Sequence, residues 1–251
     1  MTAYSADYEA APSEIVSDAA RIKRNALLEE IYLDFYARIS TEIPADRFPK
    51  TLELGSGGGF LKELAPHVIT SECVAVPGLE RVVDACKIHE AFEEGELDAI
   101  CALNVFHHLP DAAGFLSGAS RVLRQGGRIV LVEPWFTPVG QWFHRLIHHE
   151  PSVDDANFWG IVGNGRMTAA NTRLPTSVFR DSDERFARDF PTLRIVRREP
   201  FHKWLYLVSG GLQINTRIPR RLARKLVSWD RKSVTGDRLT GIFALVVVER
   251  T

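Results

Sequence analysis

Two sets of residues in this sequence are of the types that do chemistry. The first is acidic: Glu53 and Glu72 each sit at or near the end of a short apolar run, and Asp84-Ala85 ends a third. An ionised carboxylate accepts hydrogen bonds at both oxygens, so an acid at a strand's carboxyl end can take both hydroxyls of a ribose. Between Glu53 and Glu72 the chain reads Gly55-Ser56-Gly57-Gly58-Gly59. Glycine permits positive φ, and its missing Cβ lets a ligand lie against the backbone. The second set is histidine: His107-His108, and later His144, His148 and His149 beside Glu150. Histidine is the side chain best suited to take a proton near neutral pH. His107 is the first candidate base, followed by His108 and His144. His144 and His148 would share a helix face. Spacing fixes no third ligand for them, so no metal site is assigned.

These residues need a scaffold that brings strand ends together. Leu52 and Leu54 read as a strand, broken by the glycines, and Phe60 to Ala65 resumes with helical spacing up to Pro66. A helix starting there would aim its free N–H groups and positive dipole end at a ligand. Further strands are expected at 67–72, 81–85, 98–104, 128–132, 193–197 and 242–248, with a helix at 111–124 ended by Gly126-Gly127. Residues 13–43 have helical periodicity, as one helix or two, and form with the start of the chain an N-terminal helical lid, 1–49. The remainder, 50–251, is one domain. Residues 136–180 break the strand–helix alternation with Pro138, Pro151, Pro175 and several aromatics, and are read as a cap insertion over the ligand crevice. Trp135, Phe136, Trp142, Phe143, Phe158 and Trp159 could line an apolar acceptor pocket there.

The bulk properties set bounds. A chain of 251 residues with 45% hydrophobic and 25% charged residues suits one large soluble domain. No apolar run approaches the ~20 residues a membrane span needs, and the polar, acidic start is not a secretory signal, so a cytoplasmic location is expected. Cys73, Cys86 and Cys101 are read as reduced core thiols. The net charge of −1 hides an excess of Lys and Arg between Arg194 and Arg238, including Arg220, Arg221, Arg224 and Lys225. Such a segment could rest on an anionic lipid surface or receive a phosphorylated acceptor, but is read here as a solvated basic face. It lies far along the chain from the strand-end acids, which disfavours a nucleic-acid partner. The oligomeric state is left open.

Taken together, Glu53-Leu54-Gly55-Ser56-Gly57, Glu72, Asp84-Ala85, Leu97-Asp98-Ala99-Ile100, Asn104-Val105-Phe106-His107-His108-Leu109 and Arg121 to Gly127 stand in a known order. The sequence resembles the class I S-adenosylmethionine-dependent methyltransferases of the small-molecule type over about residues 50–134. The resemblance implies an α/β, Rossmann-like, seven-stranded sheet whose last strand is antiparallel. It implies S-adenosyl-L-methionine as cofactor, with Gly55, Ser56 and Gly57 under its methionine part and Glu53 at its amino group. Glu72 would take the ribose, Asp84 and Ala85 the adenine, and Asn104 another edge. The implied activity is methyl transfer to a small-molecule acceptor, at an oxygen or nitrogen of a secondary metabolite or a glycosylated or lipid-like compound. The alternative keeps the cofactor but performs non-methylating chemistry, as a cyclase or decarboxylase, or serves regulation. The sequence departs from the family at Glu72, where Asp is common, at Ile88 to Phe92, and at Gln125, where proline is usual.

Overall fold

A computed structural model describes residues 12–57, 60–138, 151–153, 155, 157–163, 169–201, 204–209, 218–232 and 237–251. The expected helical N-terminus is two helices, α1 (Pro12–Arg24) and α2 (Ala26–Glu42). Asn25 separates them: its backbone is extended and its side chain accepts from the Leu28 N–H, which caps α2.

The sheet begins with β1 (Thr51–Leu54), one helical turn α3 (Leu61–Leu64), β2 (Val68–Glu72) and β3 (Arg81–Val82). It continues with β4 (Leu97–Leu103), helix α4 (Ala112–Val122) and β5 (Leu123–Pro134). After α5 (Asp183–Asp189) come β6 (Leu193–Phe201), α6 (Trp204–Ser209), α7 (Arg220–Lys232), α8 (Asp237–Thr240) and β7 (Phe243–Arg250). The seven strands lie in the order β3-β2-β1-β4-β5-β7-β6. β1 to β5 are parallel, and β7 runs antiparallel to both neighbours. The order reverses between β1 and β4, so the crevice at their carboxyl ends is where such a sheet places a ligand.

Both faces of the sheet are covered, which is why its strands read as continuous apolar runs. Successive strand residues point to opposite sides. Ile129 and Leu131 of β5 therefore join one core with α4 and the 174–190 segment, while Val130 and Val132 join the other with α2 and α7. Helix α2 is a layer of this second core. Phe35, fully buried, packs its ring 5.0 Å from that of Phe243 and 5.9 Å from that of Phe201.

Several local expectations are corrected. The helix after the glycine turn is only Leu61–Leu64, too short for a substantial dipole. Strand three is two residues, and a 3-10 turn starts at Ala85 because Asp84 caps the Cys86 N–H. Helix α4 ends at Val122, not at the glycine pair. Leu97 pairs with Leu123 but Ala99 with Arg128, so residues 124–127 loop out, and Gly126 takes the positive φ. The cysteines form no disulfide, but only Cys101 is buried; Cys86 is partly covered and Cys73 is exposed.

Phe35→Ala should lower unfolding free energy by about 3–5 kcal/mol through lost burial and a cavity shared by α2 and β7. Urea denaturation measures this, and a loss below about 1 kcal/mol would show that α2 is dispensable to the core.

Candidate active site

The glycine turn leaves β1 with two strained-for-L-residues positions, Gly55 at φ 62° and Gly57 at φ 39°. A Cβ on Gly55 would lie 2.5 Å from Cγ2 of Val105. The close approach at Gly55 is therefore to the loop after β4, and it locks the ends of the two central strands together. A Cβ on Gly57 would lie 3.2 Å from Glu72 Oε1 and 3.8 Å from Ile15 Cγ2. Glu72 thus reaches across to the turn, and α1 lies over it. Gly58 and Gly59 fall outside the described residues.

Ser56 stitches the turn to β2: its N–H donates to the Ser71 carbonyl at 2.8 Å, and its hydroxyl accepts from the Ser71 N–H at 3.0 Å. The Ser71 hydroxyl donates to the Glu53 carbonyl at 2.7 Å. Ser71 was not singled out by the sequence, because a serine inside a strand carries no signal of its own. Glu53 and Glu72 are both buried. Burial raises Glu53 from an ordinary 4.5 to about 7; a hydrogen bond from Ser56 opposes the rise and the nearby Glu72 adds to it. Two carboxylates in one dry corner favour a cation between them.

Asp84 stands next to this corner, since the Val83 N–H donates to the Glu72 carbonyl at 2.8 Å. One Asp84 oxygen caps its own turn at Cys86, 2.9 Å away, and Ala85 is buried. Ile88, in the atypical segment, is fully buried beneath α4, where a Cβ on Gly118 would meet it at 2.8 Å.

Asn104 ends β4 in the left-handed region, φ 55°, although it is not glycine. Its N–H donates to the Val132 carbonyl, but its Oδ1 is buried with no hydrogen-bond partner among the described residues. A buried acceptor left unsatisfied costs about 1–3 kcal/mol, and a strained backbone at a strand's mouth points to function.

Glu133, at the end of β5, was not among the residues that the sequence singled out. It is fully buried, and it organises the loop after β4. Its Oε1 accepts from the N–H groups of Val105 and Phe106, each at 2.8 Å, and its Oε2 lies 2.6 Å from His107 Nδ1. With the proton on Nδ1, His107 donates to Glu133 and Nε2 is its basic nitrogen. The His107 carbonyl accepts from the Asn171 N–H at 2.8 Å. Asn171, fully buried, also bonds Gly160 and Val153, so it ties residues 151–171 to the site; it too was missed. His108 turns to the Ala169 carbonyl at 3.0 Å. His144, with Trp142, Phe143, His148, His149 and Glu150, lies outside the described residues. Trp135, Phe136 and Trp159 are buried, Trp159 stacking on Phe190, and Phe158 is at the surface. Among the described residues no three metal-ligating side chains come together.

Residues 52–131, β1 through most of β5, match the family model of a methyltransferase domain. An S-adenosylmethionine-dependent methyltransferase from Archaeoglobus fulgidus superposes with a TM-score of 0.53 at 15% identity, over 87% of this chain and 94% of its own. This is the class I methyltransferase fold. A geranyl diphosphate C-methyltransferase from Streptomyces coelicolor A3(2) aligns at 14% identity over 98% of this chain and 85% of its own, with a TM-score of 0.49. That likeness is too distant to speak for an acceptor. No curated protein matches the sequence. No described helix is long and apolar enough to cross a membrane.

The residues present fit the cofactor of this methyltransferase fold. Glu53, Glu72 and Asn104 Oδ1 are acceptors of the kind that an ammonium and a ribose would need, and Gly55 and Gly57 leave the turn between β1 and α3 without side chains.

Two predictions follow from the turn and the buried acid. Gly55→Ala should destabilise the protein by about 2–4 kcal/mol, from positive φ and overpacking together. Adding Val105→Ala should recover part of that loss in a thermal-unfolding cycle; strict additivity would mean that the two residues do not touch. The folded chain also keeps a proton on Glu53 that the unfolded chain releases near pH 4.5. Stability should therefore fall as pH rises from 4.5 to about 7, by on the order of 3 kcal/mol, and then level off. Glu53→Gln should flatten this slope in urea titrations across that range; parallel slopes would contradict the assignment.

Proposed function

We propose that this protein transfers the methyl group of S-adenosyl-L-methionine to an oxygen or nitrogen atom of a small-molecule acceptor. The observation that carries the reading is the meeting of Glu53 and Glu72 at the bend after β1, with Asn104 next in the chain to Val105, whose side chain packs on Gly55. When bound, the cofactor supplies a methyl group already activated on a sulfonium cation. The protein's part is then binding, alignment and control of one proton. Glu53 and Asn104 accept from the cofactor's amino group, Glu72 from its ribose hydroxyls, and Asp84 with Ala85 frames the adenine. Ile15 of α1, resting on the Gly57 turn, supports a lid role for the N-terminal helix. The 136–180 segment would bound the acceptor side.

His107 is the base in this reading. Its Nε2 accepts the acceptor's proton as the new bond forms, and Glu133 stabilises the resulting imidazolium through Nδ1–H. His108, held by the Ala169 carbonyl, shapes the wall beside it, with the two rings 4.1 Å apart. Alignment in a dry site can supply a large part of the barrier reduction, up to ~7–11 kcal/mol in ideal cases.

Incubation with the cofactor and a panel of hydroxyl- and amine-bearing small molecules should give a product heavier by one methylene by mass spectrometry. His107→Ala should lower kcat about 10²–10⁴-fold. Glu133→Gln should lower it less and move the rising limb of the pH profile to lower pH, since the imidazolium loses its partner. Unchanged kcat in His107→Ala, or an unmoved profile in Glu133→Gln, would remove the dyad from the mechanism.

A further inference from the structure

Helix α7 turns Ala223 and Val227 inward, where both are buried in the core shared with α2. One flank carries Arg220, Arg224 and Arg231. These pair with Glu29, Glu30 and Asp34 of α2, the last two at 3.2 and 3.4 Å. The pairs fix how the helix is rotated about its axis, and so decide what faces out. Arg221 and Lys225, one turn apart, are exposed and make no ion pair or hydrogen bond among the described residues. Beside them lie Leu222, 48% exposed, and Trp229, 69% exposed, two turns apart on one stripe. Arg221, Arg224, Lys225, Ser228 and Trp229 line a shallow depression of about 510 Å³.

A large apolar ring left in water is unfavourable, and unpaired cations beside it do not explain it. A water–bilayer boundary satisfies both: tryptophan and leucine enter at headgroup depth while arginine and lysine reach phosphates. Nucleic acid suits the face less well, because Leu222 shares the stripe and offers no ring for a base to stack on.

We propose that the outward face of α7 docks this protein on a bilayer surface bearing anionic phospholipids. Trp229 and Leu222 are the apolar anchors, and Arg221 and Lys225 are the phosphate contacts. The inference is independent of the catalytic reading and uses no residue of that site.

The test is co-sedimentation of the full chain with vesicles of phosphatidylcholine alone, and with about 30% phosphatidylserine added, at roughly 0.1 M salt. The chain should pellet with the anionic vesicles and remain free with the neutral ones. Each neutralised cation should weaken partitioning roughly fivefold, so Arg221→Gln with Lys225→Gln should cost about 25-fold. Leu222→Ala with Trp229→Ala should also weaken binding at least tenfold, with charge unchanged. All four side chains are at the surface, so circular dichroism should show the variants folded. Absence of binding to anionic vesicles, equal binding to neutral ones, or wild-type binding by the Leu222/Trp229 double variant would each overturn the proposal. Retention on heparin without vesicle binding would overturn it as well, and would assign the face to another polyanion.

Discussion

The site depends on one buried carboxylate. Glu133 sits at the end of β5 with no solvent exposure and accepts hydrogen bonds from two backbone N–H groups and approaches one imidazole. A carboxylate taken out of water is costly unless its lone pairs are satisfied, and bonds of this kind are about twice as strong as neutral ones. The arrangement therefore tolerates little displacement. It holds the chain leaving β4 against the end of β5, which sets Val105 on Gly55, bends Asn104 into the left-handed region and fixes the ring of His107. All three features adjoin the residues that Glu133 holds.

On the other side of the switch point the economy is reversed. Glu53 and Glu72 are buried in the same corner, and burial, with the charge of Glu72 adding to it, lifts Glu53 to about 7. Asn104 Oδ1 is a further buried acceptor without a hydrogen-bond partner among the described residues. The fold carries this electrostatic cost because the surrounding layers are thick: α2 and α7 cover one face, and α4 with the 174–190 segment covers the other. A positive charge placed at this corner would lower the cost of ionising Glu53.

Much of the fold was legible in the sequence, for physical reasons. Strands buried on both faces give unbroken apolar runs, and the glycine bend and strand-end acids mark their carboxyl ends, so Gly55, Glu72 and Asn104 could be located before their neighbourhood was known. The shortness of β3 and α3 was not legible, because tertiary contacts and Asp84's cap decide where a four-residue pattern stops. Glu133 and Asn171 were missed for a different reason. Their partners are backbone groups and a histidine far away in sequence, and a buried polar residue looks like an exposed one until the layers around it are placed. Likewise Arg220, Arg221 and Arg224 read as one basic face, yet α2's acids divide them into paired and unpaired sets.

The central claim is that the bend after β1, with Glu53, Glu72 and Asn104, is built for an adenosyl ligand carrying a charged amino group. Isothermal titration of the wild-type chain with S-adenosylhomocysteine tests it most directly, with Glu72→Ala as the paired variant. The account predicts saturable binding that Glu72→Ala weakens about tenfold or more through loss of the ribose hydrogen bonds. No heat of binding at millimolar ligand, or equal affinity in the two proteins, would contradict it.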